Sequence, residues 1–249
     1  MTARRTLAVL AGVVMFAGFI ALGVWQVQRL HWKLDLIARV DARVHAPAAP
    51  PPGPADWRRV TAASDEYRHV HVSGVFENDK ETLVQAVTEL GPGYWVMTPL
   101  RTDGGEEILV NRGFVPPEQS APAARRAGLP ASRTTVTGLL RITEPRGGFL
   151  RANQPAAGRW FSRDVAAIAR ARDLKQPAPY FIDADSAPNP GGWPRGGLTV
   201  VRFRNSHLVY AFTWFGLAAM TAAWGAWPLF ESFRRRRAAA LPGIGSTAA

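Results

Sequence analysis

His207 opens a run of apolar residues that holds no other acidic, basic or imidazole side chain before Glu231. An ionisable group at the mouth of so apolar a helix is costly unless it has a partner or a task. At 3.6 residues per turn, His207, Ala211, Trp214, Ala218, Thr221 and Gly225 share one face, so an imidazole and an indole look across a groove floored by small residues. Two roles are open to this histidine. A neutral imidazole can ligate haem iron axially, and a flat ligand fits such a groove. Small residues equally let two helices approach closely, which would make His207 a hydrogen-bonded member of a helix contact. Ala11, Gly18 and Ala21 offer a similar small-residue face in the first apolar run.

Other candidates are fewer. His69 and His71, two apart on a strand, point to one side and could bind copper or zinc, but no third ligand lies near them in sequence. Asp183 and Asp185 alternate at a strand end and could do acid and base work, or serve as turn residues; Asp164 reads as a helix cap. His31 and His45 earn no functional reading. No glycine-rich phosphate loop and no GxSxG elbow is present, so the signatures of common enzyme classes are missing. The absence of cysteine excludes disulfides, zinc-thiolate sites, thiol redox chemistry and covalent c-type haem attachment.

The elements that must position these residues begin with two apolar runs, Thr6 to Gln28 behind Arg4 and Arg5, and Leu208 to Phe230 ahead of Arg234 to Arg237. Each would reach roughly 34 Å as a helix, against the ~30 Å of a hydrocarbon core. Basic residues beside spans stay cytoplasmic, which puts both termini inside and the middle outside. A cleaved or twin-arginine signal is the competing reading of the first run, with Ala21 and Gly23 as small residues, but its apolar stretch exceeds the ~7 to 15 residues usual for a signal. The arginines lead straight into the span, which points to direct insertion in a bacterial plasma membrane. Of the net charge of +11, much flanks the spans, and the remaining arginines are scattered rather than clustered with aromatics; membrane lipids, not nucleic acid, are the expected partner.

Between the spans the pattern divides the chain further. Leu30, Leu34, Ile37, Val40 and Val44 recur at three- and four-residue spacing, so the first span continues outward as an amphipathic helix. Prolines then stop it in the stretch APAAPPPGPA, a stiff linker. Strand patterns follow at Tyr67 to Phe76, Glu81 to Val87, Tyr94 to Leu100, Ile108 to Val115, Val136 to Ile142, Tyr180 to Asp183 and Leu198 to Phe203, with one short helix over Arg163 to Leu174. The expected divisions are a cytoplasmic start at 1–5, a span at 6–28, the helical extension at 29–45, the linker at 46–55, an extracytoplasmic domain at 56–204, a second span at 205–230 and a basic cytoplasmic tail at 231–249. The expected fold class is α+β: a membrane protein whose two end helices flank one mainly antiparallel β domain, a sheet or partial barrel with a short helical insertion.

The motifs, in order, resemble the Surfeit locus protein one family. They are GVWQVQRLHWK around Trp25 and Gln26, YRHVHVSGVF from Tyr67, Thr98 to Leu100, VNRGFVP from Val110, Asn153 and Pro155 before Trp160 and Phe161, Tyr180 with Asp183, Gly196 with Gly197 and Thr199, and NSHLVYAFTWFGLA from Asn205. Leu198 stands where the family commonly has glutamine and Ser206 where it has a second asparagine; His207 is kept. The resemblance implies an assembly factor, not an enzyme. It would hold haem a at the outer membrane surface and assist its insertion into the largest subunit of haem-copper cytochrome c oxidase, with haem a synthase as a further partner. It places the iron-ligand role on His207, with Trp214 as the nearby aromatic. The rival reading is a cofactor-free membrane scaffold that stabilises an early oxidase intermediate; a hydrolase built on Asp183 and Asp185 is a third.

Overall fold

A computed structural model describes residues 3–148, 150–201 and 203–239. Its helices are α1 (Ala3–Val44), α2 (Ala62–Asp65), α3 (Val165–Ala171) and α4 (His207–Ala239), and its strands are β1 (His69–Phe76), β2 (Thr82–Thr88), β3 (Gly91–Thr102), β4 (Glu107–Val115), β5 (Thr134–Ile142) and β6 (Pro177–Ala184). They divide into two units, one of residues 1–37 with 202–249 and one of residues 38–201.

The first unit is a helix pair. α1 has 42 residues and α4 has 33, and both are long and apolar enough to cross a membrane. Their apolar side chains point outward: Leu7, Val13 and Val14 on α1, and Val209, Phe212, Trp224 and Trp227 on α4, are all exposed. Such a surface suits hydrocarbon better than water.

The second unit is built on a closed sheet. β1 pairs antiparallel with β5 along its length, from His69 opposite Leu139 to Gly74 opposite Thr134. β5 pairs with β6, β6 runs parallel to β4, and β4 pairs antiparallel with β3. The end of β3 then returns to β1, Leu100 facing Phe76 and Thr102 facing Gly74, which closes a five-stranded ring; β2 extends the sheet from the other end of β3. Closure brings backbones close: a Cβ on Gly74 would lie 2.3 Å from the Arg101 carbonyl oxygen, so only glycine fits at that seam.

Strand alternation sorts side chains into two layers. Val70, Val72, Phe76, Leu100, Ile108, Val110, Leu140, Tyr180 and Ile182 fill one cluster. Leu109 and Phe181, one step along the same strands, pack on the opposite face with Val84, Met97, Trp160, Val165 and Ile168, so α3 and the Trp160 segment cover that side. Every residue of β4 is therefore buried. The expected short helix is present in a tighter form, with Asp164 as its cap, accepting from the Ala167 amide at 3.0 Å.

The expected seventh strand over Leu198 to Phe203 is absent among the described residues. The strand order accounts for this. Both β4 and β6 already have a neighbour on each edge, so no ladder position is left for it there. The segment is held by single contacts instead: the Gly197 amide donates to the Ala184 carbonyl at 2.9 Å, and Thr199 Oγ1 donates to Asp183.

Candidate functional site

His207 is the first residue of α4, and its Nδ1 lies 2.8 Å from Oε1 of Gln26 on α1. Gln26 is 8% exposed, whereas Gln28, two residues on, faces outward. A carbonyl oxygen only accepts, so in this contact Nδ1 is the donor, and in the neutral imidazole that leaves the lone pair on Nε2. Among the described residues Nε2 makes no hydrogen bond, and the imidazole is half-buried. That is the state in which a histidine can ligate a metal.

Below the imidazole, Trp214 stacks on Phe19 with ring centroids 5.9 Å apart and planes at 24°. Ala211 and Ala218 are buried, so the groove floor expected on α4 is a contact surface against α1. Gly225, further down the same face, is exposed, and the Thr221 hydroxyl turns back to the Leu217 carbonyl at 2.8 Å. The face of α1 differs from the expectation. Ala11, Gly18 and Ala21 are exposed, and the contact line runs instead through Phe19, Gly23 and Gln26. A polar bond and a seated aromatic ring set the register, not a row of small residues. Above this pair, Lys33 Nζ stands 5.0 Å from the ring centre of Phe203.

Asp183 and Asp185 do not form an acid–base pair. Asp183 is 3% exposed and its carboxylate is saturated. It accepts from Asn111 Nδ2 at 2.7 Å, Arg163 Nη1 at 2.9 Å, Arg141 Nη1 at 2.9 Å and Thr199 Oγ1 at 3.0 Å. Arg163 also reaches Glu144 and lies over the Phe181 ring, 4.7 Å from its centre. Burial alone would lower the Arg163 guanidinium, but Asp183 and Glu144 outweigh it and hold the group above its ordinary range. Asp185 meets a different partner, His69 Nε2, at 3.2 Å. A carboxylate so fully committed has no lone pair to offer a substrate.

His69 is engaged at both ring nitrogens, whereas His71 is engaged at Nδ1 alone and, among the described residues, has no further ligand beside it. Their Nδ1 atoms bond the carbonyls of Ala46 and Ala48 at 2.8 and 3.1 Å, and Ala49 adds a parallel bridge to Val70. The proline-rich stretch is thereby strapped along β1. No group of three or more His, Cys, Asp or Glu side chains able to hold a metal occurs among the described residues. His31 and His45 bond carbonyls one turn back on α1, those of Val27 and Asp41.

Arg112 is a further buried charge that the sequence reading passed over. It lies on β4 with its Cζ 4.7 Å from the Phe76 ring centre, donates to the Gly128 carbonyl, and is pushed down to about 10 by burial.

Gln26, too, carried a signal in the sequence. It is an amide within an apolar run, seven residues after Phe19 and three after Gly23, so that all three fall on one helix face.

The same stretches carry a likeness to known proteins. The chain is 40% identical to Surfeit locus protein 1 of Homo sapiens over 218 residues, 81% of this chain and 70% of the relative. It is 39% identical to Surfeit locus protein 1 of Mus musculus over 86% of this chain and 72% of that relative. To a SURF1-like protein of Monosiga brevicollis it is 38% identical, over 81% of this chain and 80% of the relative. The model of the SURF1 family matches residues 13–219, a stretch that takes in Gln26, the whole barrel, His207 and Trp214. From the first helix through the barrel to the second, the chain belongs to the SURF1 family.

Proposed function

We propose that this protein is an assembly factor for haem-copper cytochrome c oxidase that holds haem a at the outer membrane surface and assists its insertion into the largest oxidase subunit. The observation that carries the reading is the state of His207: one nitrogen bonded to Gln26, the other unengaged, at the start of an apolar helix. The donor set fits a haem iron, since a neutral imidazole with a hydrogen-bonded Nδ1 is a proper axial ligand. His207 would hold the iron, and the stacked Phe19 and Trp214 would supply an aromatic surface beneath it. One imidazole is a light grip, suited to cargo that must be released. The outward apolar faces of α1 and α4 would place the site at the edge of the bilayer, with both termini cytoplasmic, in a bacterial plasma membrane. The barrel domain would offer docking surface to the oxidase subunit, and haem a synthase would supply the cargo.

The test is the absorption spectrum of the full chain purified from cells that make haem a. A haem spectrum in the unaltered protein that is lost in His207→Ala supports the reading. A colourless preparation, or unchanged haem content in the variant, favours the rival: the Gln26–His207 bond as a purely structural clasp in a cofactor-free scaffold.

A further inference from the structure

We infer that Gln26 is the positioning residue of the iron-binding imidazole, fixing the tautomer of His207 so that Nε2, and not Nδ1, is offered to the ligand; this rests on the haem reading above. The side chain is placed for that task and for little else. It is buried near the end of the apolar run of α1, on a face that the exposed Gln28 does not share, where an amide without a partner would be destabilising. Gly23, one turn earlier, carries no side chain, and the Phe215 ring fills the space beside it. This close approach of α1 to α4 brings Oε1 within 2.8 Å of Nδ1.

The choice of an amide matters chemically. Imidazole in water exchanges between two tautomers, and only the one protonated at Nδ1 has a lone pair on Nε2. Oε1 of Gln26 accepts that proton and selects the form. A carboxylate in the same place would select it too, but would add negative charge and make the nitrogen a stronger donor. Glutamine orients the ring without tightening the grip, which suits a carrier. Turned over, the same amide would donate to Nδ1 and leave the proton on Nε2, where it would block the ligand position; the two arrangements have opposite signatures.

The experiment uses the full chain in detergent micelles, labelled with ¹⁵N-histidine, as unaltered protein, Gln26→Leu and Gln26→Glu. Before any haem is added, the ¹⁵N shifts of His207 should report the Nδ1–H tautomer in the unaltered protein and in Gln26→Glu, and a mixture in Gln26→Leu. Titration with ferric haem a should then show about tenfold weaker binding for Gln26→Leu, the lower end of what removing such an outer partner costs. Gln26→Glu should bind no more weakly than the unaltered chain, a rescue that loss of helix packing alone would not produce. Equal tautomer and equal affinity in Gln26→Leu would overturn the role of Gln26 while leaving the haem reading standing. Failure of the unaltered chain to bind haem a would overturn the haem reading itself, whatever the tautomer.

Discussion

The ring of Phe215 on α4 occupies the space beside Gly23 on α1: a Cβ built on that glycine would lie 2.5 Å from Phe215 Cε1. A larger side chain there must displace the ring or part the helices. Gly23→Val should therefore weaken the helix pair by about 1–3 kcal/mol, the usual cost of overpacking. Gly18→Val is the matched control, since no atom lies within 4 Å of a Cβ at that position, and it should stay within ~0.5 kcal/mol of the unaltered chain. Denaturation of the two variants in detergent measures the difference. Equal stability of the pair would show that Phe215 yields without consequence.

Asp183 should behave as a structural hub. Removing its carboxylate takes from Arg141 and Arg163 their one fully buried partner, leaving them the more exposed Glu66 and Glu144, and frees Thr199 from the barrel. Breaking a buried ion pair by deleting one partner costs ~3–5 kcal/mol, so Asp183→Ala should destabilise the barrel unit by that order. Asp185→Ala, which removes only the contact with His69, should cost about 1 kcal/mol. Urea titration of the full chain, followed by tryptophan fluorescence, separates the two. A hydrolase built on this pair would instead lose activity in both variants while remaining folded.

How far the sequence could be read follows from the range of the forces involved. The six strands and the capped helix α3 are local: alternation, turn glycines and Asp164 announce them within a few residues. Closure of the ring is not local. It depends on β3 being long enough to reach back to β1, and the edges of β4 and β6 that a seventh strand over Leu198 to Phe203 would need are taken by strands distant in sequence. His207 stood out because an imidazole in an apolar run is improbable on its own. Its partner Gln26, 181 positions away, could be matched to it only once the two helices were paired. The ligands of Asp183 were hidden for the same reason, since Arg141 on β5 and Arg163 in the loop before α3 look alike in sequence whether they meet solvent or a buried carboxylate.

Acid should loosen the barrel through Glu107. Burial by itself would raise this carboxyl, but the Gln176 and Lys175 amides and the Lys80 ammonium outweigh it and hold the group below its ordinary 4.5. A carboxylate depressed in the folded state stabilises fully above its unfolded value and loses that contribution as pH falls through the folded one. Asp65, held below 3.8 against its own burial by Ser64, Arg68 and the Thr61 amide, acts in the same direction. Stability should thus be level from neutrality to about pH 5 and fall below about pH 4.5. Glu107→Gln should be less stable at neutrality but show a shallower acid decline. Melting temperatures from pH 7 to pH 3 measure both slopes, and parallel curves would assign the acid limb to other groups.

The strap along β1 gives a last expectation. Ala46, Ala48 and Pro52 offer their carbonyls to His69, His71 and both Trp57 and Tyr180, and the Ala49 bridge joins them to the edge of β1. Each side-chain bond contributes about 0.5–1.5 kcal/mol, so replacing both histidines by leucine should raise the opened population of the stretch by roughly one to two orders of magnitude. Proteinase K should then cut within residues 46–55 well before the barrel is attacked, whereas the unaltered chain is cut there slowly. Zinc separates this role from metal binding. With His69 Nε2 facing Asp185 and no group of three or more metal-ligating side chains among the described residues, added zinc should leave the melting temperature of the unaltered chain unchanged. A zinc-dependent rise that disappears in the double variant would show that the histidines serve a metal rather than the strap.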